Sequence, residues 1–186
     1  IMLGIIKKEM PYGEKSARKT IYSIEDNMFR FWYRFVPENT SVISRGASDL
    51  AYKRIEPELP NYMGGIFEEI CKQYLWKLLL EGRCAVNFNE LGRWWGTNPK
   101  THKQEEIDIM GADKNEALFA ECKWKNEKTD INVLEKLVER SNLFNFNRKH
   151  LYLFSKSGFT KSCIDKANEM GNVTLTAFED IMKEII

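Results

Sequence analysis

The sequence lacks the marks of several protein classes. Its four cysteines, Cys71, Cys84, Cys122 and Cys163, form no CxxC pair, and only two histidines, His102 and His150, are there to join them. A structural zinc site is therefore not expected. Three of the cysteines lie in apolar or alternating stretches and read as small buried hydrophobes. Their usage points to a reducing compartment, the cytoplasm. No apolar run reaches the length of a membrane span, so no membrane partner is expected. The opening Ile1-Met-Leu-Gly-Ile-Ile-Lys-Lys-Glu has too short an apolar core for a signal peptide. Neither sign of charge dominates: 28 Lys and Arg against 27 Asp and Glu leave a formal charge of +1. That excludes a histone-like binder and an acidic tail protein, while leaving room for a local basic cleft. There is no GxxxxGK[ST] stretch, hence no P-loop ATP site, and no repeat or low-complexity segment.

What remains is an ordinary globular composition. The chain has 186 residues, 43% hydrophobic and 30% charged, enough for one or two small domains with a real core. Position 1 is Ile inside a periodic stretch, and the chain reads as a piece of a longer polypeptide.

Ile5-Ile6 and Thr20 to Ile24 read as short strands around a charged loop with Pro11-Tyr12-Gly13-Glu14. They suit either the wing of a winged helix or a plain hairpin. Asp26 caps an aromatic helix from Asn27 to about Val36, which Pro37 stops. Its Met28-Phe-Arg-Phe-Trp-Tyr-Arg-Phe35 run has aromatics between arginines, a pattern that can stack nucleic-acid bases. The simpler reading is a buried helix whose arginines snorkel to the surface. Residues 37 to 62 read as a connector with a helical piece near Ala47 to Ile55. Gly64-Gly65 then opens a long helix through Leu79, with apolar residues at three- and four-residue steps.

From there the pattern alternates. Strands are expected at Cys84 to Phe88, Leu91 to Gly96, Glu105 to Gly111 and Ala117 to Trp124, with a hairpin turn over Ala112 to Glu116. A helix follows from Ile131 to about Phe146, then a strand at Leu151 to Phe154. A helix capped by Thr160 runs to about Met170, then come a strand at Val173 to Leu175 and a helix from Ala177. Antiparallel strands followed by crossovers predict an α/β fold, a mixed sheet with helices on both faces.

The chemistry concentrates on the hairpin. Asp108 lies on one strand, Glu121 and Lys123 on the next. Residues two apart share a face, so Glu121 and Lys123 point together and Cys122 points away. An acid in an otherwise apolar strand calls for a partner, a metal or an exposed edge. Two carboxylates on neighbouring strands suit a hard divalent ion, Mg²⁺ or Mn²⁺, beside a phosphodiester. A nearby lysine can orient or help deprotonate the attacking water and offset charge on the phosphate. Equally, Glu121 and Lys123 fit a surface ion pair, and Asp108 a turn cap. The long helix offers Glu68 or Glu69 as a third acid. His102, in a polar loop, and His150, at a strand start, read as bystanders.

Glu68, Ile107-Asp108 and Glu121-Cys122-Lys123 together resemble the PD-(D/E)XK nuclease superfamily, with Ile107 in place of the motif's proline. That resemblance implies a restriction-endonuclease-like mixed sheet flanked by helices. It implies Asp108 and Glu121 as metal ligands, Lys123 orienting water, and Glu68 as an auxiliary catalytic acid, with Glu69 its alternative. More extended words include Tyr22 to Val36, Phe67-Glu-Glu-Ile-Cys-Lys-Gln-Tyr-Leu75, Gly92-Arg-Trp-Trp-Gly96, Glu106-Ile-Asp-Ile109, Glu121-Cys-Lys-Trp124 and Leu153 to Phe159. These are similar to the C-terminal region of prokaryotic, mainly archaeal, DEXX-box ATPases. The resemblance divides the chain into a winged-helix remnant (1–25), an aromatic helix with connector (26–62) and a nuclease-like domain (63–186). It implies an ATPase domain elsewhere in the same polypeptide.

Two functions follow as expectations. One is divalent-metal-dependent hydrolysis of DNA, for which paired active sites in a homodimer are common. The other is an inactive module that targets the ATPase to DNA or to a protein. For the module, Arg93, Trp94, Trp95, Lys125, Lys128, Lys136 and Arg140 are candidate contacts. Lys136 and Arg140 share one helix face, and the plain reading of that face is solvated.

Overall fold

The computed structural model describes residues 5–185. The start of the expected 1–25 unit and Ile186, the end of the last expected helix, lie outside them. An N-terminal hairpin pairs β1 (Ile6–Glu9) with β2 (Ile21–Ile24), antiparallel, Ile6 opposite Ile24. Its connecting loop reaches across to the main sheet. There the Tyr12 N–H donates to the Arg93 carbonyl at 2.8 Å, and the Tyr12 hydroxyl accepts from the Ala112 N–H at 2.9 Å. The loop thereby covers part of an edge strand whose backbone groups would otherwise stay open.

Asp26 caps α1 (Asn27–Ile43), its carboxylate accepting from the Phe29 N–H at 2.9 Å, a cap worth about 1 kcal/mol. Pro37 does not stop this helix, contrary to the sequence reading; it lies inside it. Pro37 is exposed, and so is Tyr33, the residue one turn earlier whose carbonyl loses its N–H partner. Just beyond it, the Asn39 and Thr40 side chains donate to the Phe35 and Val36 carbonyls. The aromatic run is also less buried than expected. Phe31 and Phe35 pack on Tyr62 and Ile55, while Met28, Phe29, Trp32 and Tyr33 are exposed. Only one side of α1 meets another helix.

The expected connector is mostly helical. It contains α2 (Ser48–Ile55) and the start of α3 (Leu59–Leu80). Gly64 and Gly65 therefore sit inside α3 rather than at its start. Each costs up to about 1 kcal/mol of helix propensity relative to Ala.

Five strands form the main sheet in the order β3-β4-β5-β6-β7: β3 (Gly92–Thr97), β4 (Gln104–Asp113), β5 (Glu116–Lys123), β6 (Arg148–Ser155) and β7 (Val173–Ala177). The first three are antiparallel, and β5-β6-β7 are parallel. The expected strand at Cys84 to Phe88 is a loop, whose Val86 and Phe88 plug into the core instead.

The parallel connections run through α4 (Ile131–Ser141) and α5 (Lys161–Met170), and α6 (Phe178–Ile185) closes the described chain. Helix α4 ends five residues before the expected Phe146, because Phe144 and Phe146 leave the helix to pack on Phe119. Thr160 caps α5 as predicted, accepting from the Cys163 N–H. One core joins the sheet to α3 and α6 through Phe67, Leu75, Leu118 and Phe154. The other joins it to α4 and α5 through Phe119, Leu134, Leu137 and Leu153. No described helix is long and apolar enough to cross a membrane.

Phe119 is fully buried between β5 and the aromatic end of the α4 connection. Phe119→Ala is expected to cost about 3–5 kcal/mol, read as a lowered urea midpoint with an unchanged m-value.

Candidate active site at the end of the β4–β5 ladder

The geometry begins with an irregularity. Gly92 pairs with Met110, yet Trp94 pairs with Ile107, so β4 carries one residue more than β3 over this stretch. This is a β-bulge opposite Arg93. Ile107 consequently faces the α4/α5 core, while Ile109 faces the α3/α6 core. Simple alternation would put both on one face. On the other side of β4, the ladder with β5 stops at Ile109↔Ala120.

Asp108 stands at that break. Its Oδ2 accepts the Cys122 N–H at 2.8 Å, replacing the strand partner that β5 has lost. Across the break, Glu121 and Lys123 lie on one face of β5 and the buried Cys122 on the other, as alternation predicts. Glu121 is 5% exposed, and both of its oxygens are engaged. Lys123 Nζ donates to Oε1 at 2.6 Å, and Arg140 Nη1 donates to Oε2 at 3.0 Å. The Arg140 Nε meanwhile holds Glu105 at 3.0 Å.

Charge crowding shows in the titration of these groups. Burial, followed by the Glu121 and Glu68 charges, pushes Asp108 up to about 7, against the opposing pull of the Cys122 N–H and Lys123. Burial also raises Glu68, although Arg93 and Lys72 oppose it. Burial disfavours the charge on Lys123, but Glu121 and Asp108 outweigh it and hold the ammonium above its ordinary pKa. Lys123 therefore stays charged at neutral pH.

The four residues singled out by sequence are thus not equally placed. Asp108, Glu121 and Lys123 cluster at the strand break. Glu68 reaches that cluster through its field on Asp108 and lines a neighbouring crevice with Arg93. Glu69 turns the other way, to Lys7 at 2.8 Å on the hairpin. Among the described residues, no three His, Cys, Asp or Glu side chains stand together as a metal cage. Arg140, expected on a solvated face, is instead a member of the cluster. It sits one turn beyond the buried Leu137 and next to the buried Ser141, at the flank of the apolar stripe of α4. That position was the available signal. Lys125, Lys128 and Lys136 are exposed, Trp94 packs against Phe144, and Arg93 pairs with Glu106.

The raised Asp108 fixes a sign for pH dependence. The folded chain holds this proton more tightly than the unfolded chain, whose Asp titrates near 3.9. The associated stability is full below about pH 4 and is lost as pH rises to about 7. Asp108→Asn keeps an acceptor for the Cys122 N–H. Its melting temperature is expected to exceed the parent's by a margin that widens between those limits.

Residues 32–136, more than half of the chain, match the family DUF234, described as archaea bacterial proteins of unknown function. The chain is also similar to a protein of Methanocaldococcus jannaschii described as uncharacterized protein MJECL04. The two are 33% identical over 131 residues, which are 69% of this chain and 28% of that relative. The matched region thus spans little more than a quarter of the relative's length. No solved structure matches. By the extent of the family match, this chain belongs to DUF234, a family of archaeal and bacterial proteins of unknown function.

Proposed function

We propose that residues 63–186 form a PD-(D/E)XK-type nuclease domain with a restriction-endonuclease-like fold, hydrolysing phosphodiester bonds of DNA with a divalent ion. On this reading the chain is the C-terminal part of a longer polypeptide with an ATPase domain, and residues 1–25 are the end of a winged helix. The observation that carries the reading is the pairing of buried Asp108 with buried Glu121 across the β4–β5 break, with charged Lys123 bonded to Glu121.

The donors suit Mg²⁺ or Mn²⁺. Such an ion takes one or two carboxylates and completes its shell with water and phosphate oxygens, so a three-residue cage is not required. Asp108 keeps one oxygen outside its bond to Cys122. The repulsion it feels from Glu121 and Glu68 is the kind a cation relieves. Asp108 and Glu121 would hold the ion, which when bound supplies Lewis-acid polarisation of the phosphate and a more acidic water. Hydrolysis joins a water oxygen to phosphorus, breaks a P–O bond to sugar and returns a proton to the leaving oxygen. Lys123, remaining an ammonium, is suited to orienting that water and offsetting phosphate charge rather than to accepting its proton. Glu68 shapes the field around Asp108.

A second reading rests on Glu121. With both oxygens taken by Lys123 and Arg140, the acid is already neutralised by protein groups, as in a structural ion-pair network. An inactive DNA- or protein-binding module then remains.

Calorimetric titration of Mn²⁺, followed by cleavage assays on duplex, branched and single-stranded DNA, separates the two. The parent is expected to bind saturably and to cut, and Asp108→Asn/Glu121→Gln to do neither while melting cooperatively. Lys123→Met is expected to keep Mn²⁺ binding and lose roughly 10²-fold or more in cleavage. A double variant that still cuts places the site elsewhere. A parent that neither binds nor cuts leaves the module.

A further inference from the structure

Beside the acidic cluster, between the N-terminal hairpin and α3, lies a crevice of about 190 Å³. We infer that it is a binding site for one backbone phosphate of a nucleic-acid strand, an inference that rests on the nucleic-acid reading above.

Four cationic side chains from four separate elements converge on it: Lys7 from β1, Arg30 from α1, Lys72 from α3 and Arg93 from β3. Three carboxylates line the space, and a fourth, Glu106, pairs with Arg93. Glu69 is held by Lys7 at 2.8 Å, with Lys72 at 3.5 Å. Glu68 stands within the field of Arg93 and Lys72, which favour its carboxylate against the cost of burial. The remaining acid, Glu9, is half-buried on β1. Arg30 has no carboxylate partner among the described residues. It donates through Nε and Nη2 to the Ile24 and Glu25 carbonyls. The guanidinium has five N–H donors, so this leaves part of its fork unused.

Two further features point to a ligand. Ser23 is one of the lining residues, and its buried hydroxyl has no hydrogen-bond partner among the described residues. Gly65 forms the floor on the α3 side, and a Cβ placed there would stand 3.7 Å from Arg30 Nη1. A glycine inside a helix lowers its propensity. Here a longer side chain would extend from van der Waals contact with that guanidinium into the crevice lining. A phosphate offers the several acceptor oxygens that an Arg fork, a Lys ammonium and a serine hydroxyl together satisfy. The crevice and the strand break share Glu68. The crevice therefore lies next to the acidic cluster, on the side of the sheet that carries α3.

The test measures binding without cleavage. Fluorescence anisotropy of labelled single-stranded and duplex DNA is followed in EDTA over a range of salt. Lys72→Ala is expected to weaken binding at least fivefold. It should also reduce the slope of log K against log salt by about 0.7–0.9, the value of one phosphate contact. Gly65→Leu fills the floor and raises helix propensity, so it should weaken binding without lowering the melting temperature. Lys161→Ala on α5 should change neither. Variants that bind as the parent does overturn the inference. So does a parent that binds inorganic phosphate in the crevice but no DNA. A protein that binds DNA through the crevice yet takes up no Mn²⁺ keeps the inference and loses the nuclease reading.

Discussion

The contact from the Cys122 N–H to the Asp108 carboxylate is the constraint on which the site depends. A strand pair that ends inside a protein leaves backbone donors to be satisfied, and an unsatisfied buried N–H is costly. Here the shortfall is met by an acid rather than by another strand. The bulge in β4 makes this possible by turning Asp108 out of the regular alternation. It also lets β4 serve both cores, sending Ile107 to one and Ile109 to the other. The same distortion that ends the ladder places a carboxylate beside Glu121.

A buried acid pair then needs cations. Lys123 comes from the same strand, two residues on, at no cost in chain topology. Arg140 comes from α4 and ties that helix to Glu105 on β4 and to Glu121 on β5. The crossover helix is therefore held by charge at one end and by Leu134 and Leu137 along its face. On the other side of the sheet, α3 carries Glu68 toward Asp108 and Glu69 toward the hairpin. One helical turn thus joins the N-terminal hairpin to the sheet. Tyr12, bonded to both Arg93 and Ala112, fixes the hairpin loop from the far side.

Much of this organisation was legible in local pattern. The alternation over Glu105 to Gly111 and Ala117 to Trp124 located the hairpin, and Thr160 and Asp26 marked helix starts through capping chemistry. Errors fell where a tertiary partner outweighed a local signal. Pro37 reads as a stop, yet α1 continues through it on an exposed face of the helix. The Gly64-Gly65 pair reads as a helix start, yet α3 already runs from Leu59. The aromatic stretch from Met28 to Phe35 reads as a buried helix with its arginines at the surface, yet only Phe31 and Phe35 find a helix to pack on. Arg140 reads as solvated because charge and spacing alone do not reveal a carboxylate facing it.

By itself, the sequence determined the element types from β4 onward, the order of antiparallel strands before parallel crossovers, and the shared face of Glu121 and Lys123. These depend on periods of two and three to four residues, which are properties of the chain read a few residues at a time. Only the tertiary structure decided that Asp108 leaves the alternation and that Arg140 closes on Glu121. It alone brought Lys7, Arg30, Lys72 and Arg93 to one crevice. Such facts depend on register between strands and on which helix lies against which face, and those are settled by packing between residues far apart in the chain.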